Sequence, residues 1–161
     1  MIEAENFTAF YDQVEDRIRL IVNHKINQKR FDFMITRDFV LKLFPVVEEF
    51  YIKHYNEPLV FEDNINKFKK NSEFIEPRIE SKQNDTVTKT RVDDLVFSVK
   101  EEGLLIKVDL KFDANSQSTH LTLYTKNQAS KAVLNKDLIR MVFAIIHSAI
   151  PNIGWGIAKL V

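Results

Sequence analysis

Four histidines, His24, His54, His120 and His147, are the side chains of this sequence best suited to proton transfer or metal binding. None forms H-x-x-x-H or E-x-x-H with a neighbour, the spacings that bring two ligands to one helical face. His147 is the sharpest candidate, because an imidazole among apolar residues is placed to titrate near neutral pH. The competing and favoured reading is a core histidine bonded to a backbone carbonyl. Carboxylates occur in adjacent pairs, Glu48 with Glu49, Asp93 with Asp94 and Glu101 with Glu102. Acid and base work needs two carboxyl groups aimed at one substrate, whereas neighbours along a helix or strand point apart. The pairs therefore read as solvated faces and turns. No serine stands in G-x-S-x-G or in a motif joining it to His and Asp.

Absent residue types exclude further chemistry. The chain has no cysteine, which removes disulfides, thiolate metal sites and cysteine nucleophiles. Its three glycines, Gly103, Gly154 and Gly156, fall in neither phosphate-cradling pattern, G-x-G-x-x-G or G-x-x-x-x-G-K-[ST]. No enzyme activity, cofactor or metal is expected.

Charge is balanced, with 23 basic and 23 acidic residues in 161, so no long-range field draws the chain to nucleic acid or anionic lipid. Lys67, Lys69 and Lys70 beside Phe68, with Lys82, Lys89 and Arg91, form a basic strip over 67–91 that phosphate contacts would use. Glu62, Asp63, Glu73, Glu76, Glu80 and Asp85 cancel it locally, and nucleic-acid binding stands as an alternative.

The elements that would position these residues follow from apolar spacing. Phe7, Phe10, Tyr11, Val14, Ile18 and Ile21 recur at three and four, which predicts an amphipathic helix over 4–24. Pro45 kinks the next element or opens a second helix, 45–55, burying Val46, Val47, Phe50 and Tyr51. Residues 57–92 read as irregular or partly extended. Leu95, Phe97 and Val99, a turn at Glu101–Gly103, and Ile106, Val108, Leu110 and Phe112 predict a hairpin. His120–Lys126 adds a third strand. The expected fold is one α+β domain: two N-terminal helices, a three- or four-stranded antiparallel meander over 93–127, and an apolar C-terminal helix packed on the sheet, with its tail, over 135–161. The acidic N-terminus lacks the basic and apolar regions of a secretory signal, so a cytoplasmic location is expected.

The C-terminus differs in composition. Met141 to Ala158 contains no Asp, Glu, Lys or Arg in 18 positions. Three readings fit: a buried helix capped by Asn135 and broken at Pro151, a membrane anchor or interfacial segment over 141–161, and an apolar surface covered by a partner or second subunit. In the third, Ile153, Trp155, Ile157 and Leu160 form the anchor, with the only tryptophan flanked by Gly154 and Gly156.

Phe74-Ile75-Glu76-Pro77-Arg78-Ile79, followed by the strand pattern from Leu95, resembles the glutamate-proline-arginine motif before a meander in the baseplate wedge family of phage tails and type VI secretion. That resemblance implies docking against neighbouring subunits through Glu76 and Arg78. The sequence thus leads to an expected non-catalytic protein-binding module, an adaptor, inhibitor, immunity protein or assembly subunit. Its expected partner is another protein or a second copy of itself.

Overall fold

A computed structural model describes residues 1–25, 27–61, 74–75 and 101–151. Within them the chain runs β1 (Ile2–Glu3), β2 (Phe7–Asp12), β3 (Arg17–Val22), β4 (Phe31–Ile35), α1 (Arg37–Tyr55), β5 (Phe74–Ile75), β6 (Glu102–Leu104), β7 (Lys107–Asp113), β8 (Ser118–Tyr124), β9 (Ala129–Leu134) and α2 (Lys136–Ser148). The strands form two mixed sheets, ordered β5-β2-β3-β4-β6 and β1-β9-β8-β7. The fold is α+β.

Three expectations are corrected. Residues 4–24 are not a helix but the β2–β3 hairpin, in which Phe7 pairs with Val22 and Asp12 with Arg17. There is no N-terminal pair of helices, because α1 runs unbroken through Pro45. Nor is the sheet a simple antiparallel meander: β1 pairs with β9 and β6 with β4 in parallel. The run Ile106–Phe112 does enter a hairpin, but β7 turns at 114–117 to meet β8, while Glu101–Gly103 leads into β6 instead of a turn. Leu95–Val99, its expected partner, lies outside the described residues.

The physical plan is a repeat. The β2–β3 turn is held by Asp12, whose Oδ1 accepts from the backbone N–H of Val14 (3.0 Å) and Glu15 (3.1 Å); Asp16 closes it with φ 57°. In the β7–β8 turn Asp113 Oδ1 accepts from the N–H of Asn115 (3.0 Å), and Gln117 closes it with φ 53°. Both turns are four residues long with a left-handed last position, a place where a short polar side chain or a glycine is usual.

The registers agree as well. Ile18 pairs with Ile35 just before the helix cap Thr36, and Thr119 pairs with Leu134 just before the cap Asn135. Thr36 Oγ1 accepts from Phe39 N–H (3.2 Å) and Asn135 Oδ1 from Leu138 N–H (2.9 Å), each satisfying an orphan donor of the first turn. From those caps the two segments align without gaps, Thr36-Arg-Asp-Phe-Val-Leu-Lys-Leu-Phe-Pro-Val-Val47 on Asn135-Lys-Asp-Leu-Ile-Arg-Met-Val-Phe-Ala-Ile-Ile146. The chain is therefore two ββββα units, β1–α1 and β6–α2, each with its first strand exchanged into the sheet of the other.

Both sheets and both helices supply one core. Phe44 of α1 meets Phe143 and His147 of α2 edge-on (6.3 and 5.8 Å), an arrangement that aligns ring edges with ring faces. α1 ends against the opposite sheet, where Tyr55 packs on Phe112 (5.4 Å) and its hydroxyl shares a 2.6 Å hydrogen bond with Thr119. α2 reaches back to β2 of the first unit. Among the described residues, no helix is long and apolar enough to cross a membrane.

Candidate functional site

Three features among the described residues concentrate polar or exposed apolar groups. The first is an ion cluster on the non-core face of the five-stranded sheet. Arg19, from the middle strand, is 6% exposed and reaches Asp12 Oδ2 (2.9 Å) on β2, Asp32 Oδ2 (2.9 Å) on β4 and Glu102 Oε1 (2.7 Å) on β6. Arg30 takes both oxygens of the fully buried Asp32 (2.7 and 2.8 Å). A planar fork with five donors suits Arg19 to this task.

Burial alone would lower the Arg19 pKa, but the hydrogen bonds it donates to Glu102, Asp12 and Asp32 raise it above its ordinary value. For Asp12, burial pushes the carboxyl up, yet the Arg19 guanidinium and the N–H groups of Glu15 and Val14 hold it below the usual range. These carboxylates are directed at guanidiniums, and the described residues contain no group of three or more ligands that could hold a metal ion. The cluster ties four strands, one from the second unit, into one sheet.

The second feature is a groove of about 750 Å³ at the edge of β6, lined by Phe31, Glu102, Leu104, Ile106 and the Thr125–Gln128 turn. Its floor needs Gly103: a Cβ there would lie 2.9 Å from Thr125 Cγ2 and 3.3 Å from Phe31 Cζ. Leu104, at the end of β6, and Ile106, in the link to β7, project from its wall 41% and 54% exposed, large apolar side chains left in solvent beside a core.

The third is the outer edge of β7. In the described residues β7 is hydrogen-bonded only to β8 and ends the four-stranded sheet. Val108 and Leu110 pack on the core, so Lys107, Asp109 and Lys111 occupy the other, wet face. The equivalent edge in the first unit is occupied, because β5 runs antiparallel along β2 with Phe7 opposite Ile75 and Thr8 opposite Phe74.

The structure scatters the residues singled out from sequence. His54 stacks on Phe112 at 4.6 Å, His120 is exposed on β8, and His147 is 1% exposed between Phe44 and Phe61. His24 sits beside the β3–β4 connection, where burial, then Lys25 and Arg30, push its pKa down to about 4. Glu48 and Glu49 are exposed on α1, whereas Glu101 and Glu102 diverge, the latter turning to Arg19. The anchor residues Ile153, Trp155, Ile157 and Leu160, the motif residues Glu76 and Arg78, and the basic residues Lys67, Lys69, Lys70, Lys82, Lys89 and Arg91 of the 67–91 strip lie outside the described residues. The Arg19 cluster was not anticipated, although charges embedded in the apolar strings RIRLIV and FDFMI were its signal. Comparison of the chain with family models, curated proteins and solved structures finds no match.

Proposed function

We propose that this chain is a non-catalytic protein-binding module that takes an extended partner segment along the β6–β7 edge. The observation that carries the reading is the conjunction there of a seven-residue strand edge, open among the described residues, with the exposed Leu104 and Ile106 next to it in the chain. Unpaired N–H and C=O groups of an edge strand template an added strand, and alternate side-chain pockets then select its sequence. Leu104 and Ile106, which line the groove just before β7, are the exposed apolar contacts nearest that edge. The antiparallel seating of β5 on β2 is the intramolecular counterpart in the other unit. The densest charge cluster, around Arg19, supports a binding role over catalysis, because its groups are spent on one another across four strands.

Selection of random peptides displayed on phage against the full chain, followed by amide shift mapping, tests this. The expected result is enrichment of peptides whose binding shifts amides between 104 and 113 and weakens in a Leu104→Ser/Ile106→Ser variant. Shifts concentrated elsewhere, or no enrichment, would overturn it.

A further inference from the structure

Resting on that reading, we propose that the segment seated on β7 is β7 of a second copy, in an antiparallel pairing centred on Leu110 that joins two four-stranded sheets into one of eight strands. The argument is the charge order of the edge. Along the wet face of β7 the residues are Lys107, Asp109 and Lys111, continued by Asp113 at its end. Antiparallel pairing about Leu110 sets Lys107 opposite Asp113 and Asp109 opposite Lys111, each twice by symmetry. Every charge on the strand thus meets its opposite in cross-strand position, where opposite charges attract and like charges repel. On the core face the same register sets Val108 against Phe112 and Leu110 against itself, apolar on apolar.

A shift of two residues in either direction along the partner places like charges opposite one another, so the pattern fixes both partner and register. Edge lysines ordinarily deter pairing between chains; alternation with aspartate removes that deterrent for this chain alone. Centring on a residue also satisfies the ladder whichever alternate set of N–H and C=O groups points outward. The arrangement closes on itself as a two-fold dimer and leaves no second open edge at β7.

Sedimentation velocity of the full chain over the micromolar range, with charge-reversed variants, tests the pairing. Wild type is expected to show a concentration-dependent dimer. Lys111→Asp and Asp109→Lys each set two like pairs across the axis and weaken it by about tenfold. An equimolar mixture of the two variants restores association as a heterodimer. Far-UV circular dichroism verifies that both variants fold. If either does not, register is read from cysteine pairing in this cysteine-free chain: Asp109→Cys and Lys111→Cys, mixed and oxidised, should cross-link to each other in excess over themselves. A monomer at all concentrations, a dimer indifferent to both reversals, or cysteine pairing without that excess would overturn the inference. Peptides that still map to 104–113 on a monomeric chain would leave the binding-module reading standing, whereas absence of both would remove the two together.

Discussion

At the scale of single residues, the energetics concentrate where charge is buried. Arg19 answers three carboxylates on three different strands, so its removal strands charge instead of merely deleting a contact. Arg19→Met is expected to destabilise the fold by about 3–5 kcal/mol in urea unfolding at neutral pH, and Arg19→Lys by a large part of that, since an ammonium cannot fork. Because Asp12 titrates below its ordinary value, its contribution is present above that value and disappears as pH falls through the lowered pKa. In Arg19→Met the Arg19-dependent part of that acid-sensitive loss should vanish. His24 acts in a higher window. The unfolded chain takes up its proton near 6.5 and the folded chain only near 4, so stability is full above pH 6.5 and falls as pH drops toward 4. The loss is on the order of 3 kcal/mol, and a His24→Gln variant measured at pH 7 and pH 4.5 should lack it.

At the scale of elements, the repeat makes one unit a control for the other. Pro45 and Ala144 occupy equivalent positions, nine residues after Thr36 and Asn135. Pro45 withholds the N–H that would bond Leu41, at an exposed stretch of α1 where Leu41 itself is 49% exposed. Pro45→Ala is expected to raise stability by about 1–2 kcal/mol, the gain of a helical bond less the entropy returned to the unfolded chain; a fall in the thermal midpoint would contradict this. The same comparison explains what was legible in the sequence. β7 alternates cleanly because one face is wet, and its residues were read as a strand. β2 and β3 carry helical spacing because Ile21, on the face away from the core, is buried as well, so Phe10 and Ile21 fill positions that true alternation would leave polar. Asn135 reads as a cap because an unbroken apolar run follows it, whereas Pro45, nine residues after Thr36, masks the helix that Thr36 caps. Strand exchange between units is non-local and leaves no mark in any window of residues. That β7 ends its sheet among the described residues is equally invisible, since a strand's neighbours are a property of the sheet.

At the scale of the whole molecule, exchange of the leading strands makes the two units mutually dependent. Ile2 and Glu3 complete a sheet with Ser130 and Lys131, at nearly the far end of the chain, while Glu102 to Leu104 complete the sheet of Asp32 to Met34. The backbone passes between sheets at each exchange: Ala4 N–H bonds Lys131 O (2.8 Å), and Leu105 N–H bonds Met34 O (2.9 Å). Helix cover is traded too, through Tyr55 against Phe112 and Thr119 and through α2 against β2. A half-chain would keep its three antiparallel strands and its helix, yet it would lose the strand lent by the other half and the opposite wall of the core. Few sub-domains of about 60 residues tolerate that, since burial at this size is already marginal. Fragments 1–61 and 101–161 are each expected to give no cooperative thermal transition alone by far-UV circular dichroism, and to regain one when mixed. The intact chain should unfold in a single transition, coincident by circular dichroism and tyrosine absorbance, and refold slowly for its size because its sheets close only through distant pairings. A cooperative melt of fragment 1–61 by itself would show that the exchanged strands decorate two independent units instead of joining them.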